Sequence, residues 1–183
     1  PSQYGEYESR VQAIIQNIKE NGDEALFSYT KQFDKADINA SNVKVTDEEF
    51  EEAYKAVDPA LLDVIRKALV NIESYHELQK QNSWFKSTPQ GTMLGQKVTP
   101  LEKVGVYVPG GKAVYPSSVL MNIMPAKVAG VDKIIMTTPC NAEGKVNPAV
   151  LVAAKEAGAD EVYKAGGAQA IAALAFGTEV FRK

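Results

Sequence analysis

From Lys103 to Glu179 the sequence alternates between short strand-like runs and helix-length segments closed by glycine. Lys103–Val108 reads as a strand, and Lys133–Thr137 is a β-branched run of the kind buried in parallel sheets. Asp160–Tyr163 is a third strand. Between them, Ser117 or Ser118 is placed to cap a helix that ends at Gly130, with Pro125 expected to kink or split it. Asn147-Pro148 opens a second helix that ends at Gly158, and Gly166-Gly167 leads into a small-residue helix that ends at Gly177. Strand and helix in strict alternation imply right-handed crossovers and a parallel sheet, so the fold class is α/β.

The composition shifts near Thr99–Pro100. Residues 1–99 are charged and mainly helical in pattern, with short strands; residues 100–183 are rich in Gly, Ala, Val and Pro. Val11, Ile14, Ile15 and Ile18 follow the spacing of an amphipathic helix, which Asn21-Gly22 is expected to stop. Asp23 can then cap a second helix carrying Leu26, Tyr29 and Phe33. Asn42–Val45 alternates like a short strand. Thr46 with Glu49 forms a capping box for a helix to about Val57. Asp58-Pro59 starts a long helix, to about Gln81, with an apolar stripe of Leu62, Ile65, Leu69, Ile72 and Tyr75. Met93–Val98 reads as a strand.

A chain of 183 residues can bury about 70% of its unfolded surface and so hold a real core. Its single cysteine, Cys140, excludes an internal disulfide. One histidine, His76, and one cysteine exclude a Cys/His zinc cluster or a two-histidine catalytic zinc site built from this chain alone. A net charge of −3 gives no electrostatic footprint for nucleic acid. The longest uncharged stretches, Ala113–Ala126 and Ala165–Thr178, have 14 residues each, too few for a membrane helix. The opening Pro-Ser-Gln-Tyr-Gly-Glu is not a signal peptide, and without a starting Met the chain is expected to be processed or cut from something longer.

Two strand-to-helix turns carry the chemistry signals. In Gly105-Val106-Tyr107-Val108-Pro109-Gly110-Gly111-Lys112 a strand feeds a Pro-Gly-Gly turn. Glycines there let backbone N–H groups approach an anionic ligand. The spacing matches neither a Walker A loop nor GxGxxG, and Pro-Gly-Gly alone is most often just a turn. In Gly166-Gly167-Ala168-Gln169-Ala170, small residues suit close helix–sheet packing. Gln169 stands out, because it falls in the first helical turn, at the end of the sheet where open α/β folds bind ligands. Its amide can bond a ribose or a base edge. A lone helical histidine such as His76 is more often structural than catalytic, Cys140 sits in a turn far in sequence from that histidine, and Glu48, Glu49, Glu51 and Glu52 read as a solvated acidic face.

Longer runs carry more. Val104–Gly111, then Tyr115-Pro116-Ser117-Ser118-Val119-Leu120-Met121, then Pro125–Gly130, then Gly166–Glu179, closely resemble histidinol dehydrogenase, and Tyr75-His76-Glu77 through Trp84 fits as well. The resemblance spans essentially the whole chain. It implies a helical N-terminal region followed by an incomplete Rossmann-like parallel-sheet domain. It also implies an enzyme of histidine biosynthesis that depends on NAD and zinc and oxidises L-histidinol through the aldehyde to L-histidine, as a cytoplasmic homodimer, with no nucleic-acid or membrane partner. Tyr107 and Gln169 match residues that bind NAD in the family, and Gly110 and Gly111 would let the dinucleotide approach the backbone.

The family is more than twice as long. Its Gly-Pro-Gly-Asn segment, expected soon after Glu179, its zinc ligands and its catalytic glutamate–histidine pair have no counterparts before Lys183. The resemblance therefore implies an N-terminal fragment that is inactive alone, with no catalytic residue and no metal ligand of its own. Two other readings stay open: a stand-alone small α/β binding module without catalysis, and a relative that oxidises another polar alcohol.

Overall fold

The computed structural model describes residues 4–110 and 114–181. Its elements, in chain order, are α1 (Tyr4–Asp34), α2 (Asp47–Ala56), α3 (Pro59–Glu77), β1 (Trp84–Ser87), β2 (Met93–Gln96), β3 (Lys103–Tyr107), α4 (Pro116–Val128), β4 (Lys133–Thr138), α5 (Pro148–Ala157), β5 (Glu161–Lys164) and α6 (Gly167–Phe176). The expected alternation in the second half is present.

The three later strands form a parallel sheet in the order β3-β4-β5. Its register aligns Gly105 with Ile135 and Ile135 with Glu161, and in the next row Tyr107 with Thr137 and Thr137 with Tyr163. Alternation along each strand puts these two rows on one face. That face carries α6: a Cβ built on Gly105 would fall 2.8 Å from Leu174 Cδ1. Helix α1 packs along α6 outside it. Helices α4 and α5 pack together on the other face, backed by α2 and α3. The core lies in both layers, with Leu120, Ile123 and Val152 on one side and Leu26, Ala170 and Ala173 on the other.

Val43–Val45 closes the outer edge of β5. Val45 N–H donates to Val162 O, and Lys164 N–H donates to Val43 O. This short antiparallel contact is what the alternation of Asn42–Val45 predicts.

Local capping explains most helix boundaries. Thr46 and Glu49 form the reciprocal capping box of α2. Asp58 caps α3, and Asn147 caps α5, each ahead of a proline at the start of the helix. Gly158 ends α5 in the left-handed conformation, where an L side chain is disfavoured.

The break expected at Asn21-Gly22 is present as a kink between two helical segments of α1. At Gly22 a φ of 50° and a ψ of −126° break the helical path, yet helix resumes at once. Several expectations are corrected. Asp23 does not cap the second half; its Oδ2 accepts a hydrogen bond from Val180 N–H at 2.9 Å, tying the C-terminal tail to α1. Helix α3 ends at Glu77, and Tyr75 is exposed, because only the part of the stripe around Ile65 and Leu69 is buried. Helix α4 starts at Pro116 behind Tyr115, with no side-chain cap from Ser117 or Ser118. It also continues through Pro125. The carbonyl that Pro125 leaves unbonded, four residues back, belongs to Met121, on an exposed part of the helix. The first strand of the small antiparallel sheet, β1, is not predicted by the sequence, and all eight residues of β1 and β2 are exposed. Exposure on both faces removes the alternation that would announce a strand.

Candidate functional site

Three turns meet at the carboxyl end of the parallel sheet. The turn after β3 carries Pro109 and Gly110, the turn after β4 carries Pro139 and Cys140, and the turn after β5 carries Gly166 and Gly167. Pro139 lies between the two glycine turns. A Cβ on Gly110 would fall 2.7 Å from Pro139 Cγ, and a Cβ on Gly166 would fall 2.7 Å from Pro139 Cβ. Gly166 has a φ of −118°, which any residue adopts, so glycine is required here by close approach and not by backbone conformation.

Tyr107 is the last residue of β3, and its hydroxyl accepts a hydrogen bond from Gly167 N–H at 3.4 Å. Gly167 sits at φ +65°, and Gln169, only 1% exposed, folds its amide back over Gly167. No side chain caps α6 at Gly166. Apart from Gly167 N–H, held by the Tyr107 hydroxyl, the first turn of this helix presents backbone N–H groups with no capping side chain at Gly166, an arrangement suited to anionic ligands. The fold thus joins Tyr107, Gly167 and Gln169 on one side of Pro139. Gly110 lies on the other side, and Gly111 lies outside the described residues.

Gly110 also lines a cleft of about 530 Å³ between α2 and the turns after β3 and β4, together with Pro139, Cys140, Asn141, Lys145 and Glu52. Tyr107 and Gln169 do not line it. Beside it, Lys164 Nζ donates to Glu49 Oε1 at 2.7 Å, with the two side chains 7% and 13% exposed. Glu49 is therefore not part of a solvated face, whereas Glu48, Glu51 and Glu52 are exposed. Sequence reading missed the roles of Pro139 and Lys164. The only local signal was a Thr-Pro pair at a strand end.

Burial, reinforced by the Asp34 carboxylate, pushes the Cys140 thiol up to about 11. Almost no thiolate exists near neutrality, which removes Cys140 as a nucleophile. His76 bonds Gln79 through Nδ1 at 2.7 Å and stacks edge-on with Tyr75, at the far end of α3 from its cap. Among the described residues, no cluster of three or more His, Cys, Asp or Glu side chains is placed to hold a metal ion, and no helix is long and apolar enough to cross a membrane.

A parallel sheet flanked by helices, with its candidate residues on turns at the carboxyl ends of the strands, defines an α/β protein. The family model for histidinol dehydrogenase matches residues 2–183. The chain belongs to the histidinol dehydrogenase family, a family of oxidoreductases. It is 58% identical to the histidinol dehydrogenase of Bacillus subtilis over 95% of its own length and 40% of that relative's. With the enzyme of Heliobacterium mobile the figures are 54%, 92% and 39%. The crystal structure of histidinol dehydrogenase from Elizabethkingia anophelis superposes with a TM-score of 0.90 at 39% identity, covering 100% of this chain and 42% of that one. The chain thus spans about 40% of the length of the curated relatives it matches.

Proposed function

We propose that this chain forms the N-terminal, dinucleotide-binding portion of an NAD- and zinc-dependent histidinol dehydrogenase, which oxidises L-histidinol through the aldehyde to L-histidine in histidine biosynthesis. The observation that carries this reading is the convergence of two glycine turns on Pro139 at the carboxyl end of a parallel sheet. Family membership supports it over a stand-alone binding module without catalysis. A cytoplasmic homodimer belongs to the same proposal, as does the division into a helical region, 1–99, and an NAD-binding region, 100–183.

The residues fit a dinucleotide. Gly110 and Gly166 let two turns close against Pro139, where a methyl group would collide, and α6 begins without a side-chain cap. Bound NAD supplies a hydride acceptor. In this reading Tyr107 and Gln169 hold it. Gln169 offers an amide in the first turn of α6, and Tyr107 offers its hydroxyl while steadying Gly167. Gly110 and Gly111 let the dinucleotide approach the backbone. Zinc enters only through the family, and none of these roles passes through it.

Two assays test the proposal. The complete product of the encoding reading frame is expected to reduce NAD in the presence of L-histidinol, and failure with L-histidinol but turnover of another polar alcohol would reassign the substrate. The purified 183-residue chain is expected to show no turnover, and turnover by it alone would contradict the division of labour proposed.

A further inference from the structure

The Pro139 ring touches both glycine turns, and it differs from the other close neighbours of glycines in the parallel-sheet region. Leu174 near Gly105 and Lys127 near Gly158 approach with the ends of flexible side chains. Pro139 cannot yield in that way. Its ring is closed onto its own backbone, with φ locked, and it follows directly on Thr138, the last residue of β4. The central strand of the sheet therefore ends in a rigid spacer. On one side the spacer sets the turn after β3 through Gly110; on the other it sets the start of α6 through Gly166. The start of α6 is further fixed by the Tyr107 hydroxyl at Gly167 N–H.

Resting on the dinucleotide reading above, we infer that Pro139 is a positioning residue for the cofactor: its ring fixes the gap between the two glycine turns to which the dinucleotide must bind at once. It touches no reacting atom. It acts through Gly110 and Gly166, and the ring atom nearest each glycine differs. A Cβ built on Gly110 would fall 2.7 Å from Cγ and 3.3 Å from Cδ, whereas one built on Gly166 would fall 2.7 Å from Cβ, 3.2 Å from Cγ and 3.3 Å from Cα. Replacing proline by alanine deletes Cγ and Cδ and keeps Cα and Cβ. That difference separates the two turns experimentally.

The test measures KM for NAD, KM for L-histidinol and kcat in the complete product of the reading frame. Gly110→Ala and Gly166→Ala are each expected to raise KM for NAD about tenfold or more, as displacement of a binding element by a fraction of an ångström to an ångström does. KM for L-histidinol should stay within about twofold in each, since a selective effect on one substrate reports positioning and not general unfolding. Pro139→Ala alone is expected to raise KM for NAD about fivefold by loosening the gap. In the double variant Gly110→Ala/Pro139→Ala the Cγ collision is gone, and KM for NAD should return to the level of Pro139→Ala. In Gly166→Ala/Pro139→Ala the Cβ collision remains, and KM should stay as high as in Gly166→Ala. Equal rescue of both glycine variants, rescue of neither, or a Pro139→Ala enzyme with wild-type KM for NAD overturns the inference while leaving the dinucleotide reading intact. A wild-type enzyme that neither binds nor uses NAD overturns both.

Discussion

The hydroxyl of Tyr107, at the end of β3, accepts a hydrogen bond from the backbone N–H of Gly167, at the start of α6. The bond is 3.4 Å long and crosses from the first glycine turn to the second. Tyr107→Phe removes the acceptor and keeps the ring. The expected result is a small loss of fold stability, about 0.5 kcal/mol, the low end for a single neutral hydrogen bond. NAD affinity should fall about fivefold, the equivalent of ~1 kcal/mol. Thermal unfolding and calorimetric titration check the two effects separately, and unchanged affinity would remove Tyr107 from the site.

Glu49 performs two jobs. Its Oε2 closes the capping box with Thr46 N–H, and its Oε1 receives Lys164 from β5 at 2.7 Å. Glu49→Ala would leave the Lys164 ammonium buried without that partner and α2 without half its cap. The expected cost is about 3 to 5 kcal/mol in denaturant unfolding, as for other broken buried pairs. Glu52→Ala, on the exposed part of the same helix, should change stability by less than about 0.5 kcal/mol.

Glu161 sets an acid limit. Burial works against its charged form, but hydrogen bonds from Lys44, Lys133 and the Tyr163 hydroxyl outweigh it and hold the carboxyl down at about 2, from an ordinary 4.5. A depressed carboxyl contributes stability that is complete above its unfolded value and is lost as pH falls through the folded one. The stabilisation is therefore full above about pH 4.5 and should vanish toward pH 2. Glu161→Gln should be less stable than wild type at pH 7, and the gap should close across that window. A gap that stays constant from pH 7 to pH 2 would contradict the assignment.

What sequence alone made legible was mostly local. Glycine and proline punctuate the second half so regularly that the α/β order, the capping box at Thr46 and Glu49 and the caps at Asp58 and Asn147 could all be read from neighbours in the chain. The parts it hid depend on contacts between distant segments. Lys164 and Glu49 are 115 positions apart, and the capping-box spacing that marks Glu49 says nothing of a second partner. Strand β1 has Trp84 and Phe85 exposed together, so no alternation marks it. Asp23 stands where a helix cap belongs, but the kink at Gly22 leaves its carboxylate bonded to Val180 instead. At the candidate site, the glycine turns and Gln169 were visible as residue types. Their joint packing on Pro139 is a steric fact of the folded sheet and has no sequence pattern.

Titration of NAD into the wild-type chain and into Gln169→Ala tests the dinucleotide site most directly. Gln169 is 1% exposed and sits in the first turn of α6, with its amide packed over Gly167. Wild type is expected to bind, and Gln169→Ala about tenfold more weakly, the effect of losing one well-placed polar contact of ~1.4 kcal/mol. Equal affinities for the two proteins, with both folded by circular dichroism, would contradict a dinucleotide site built on Gln169.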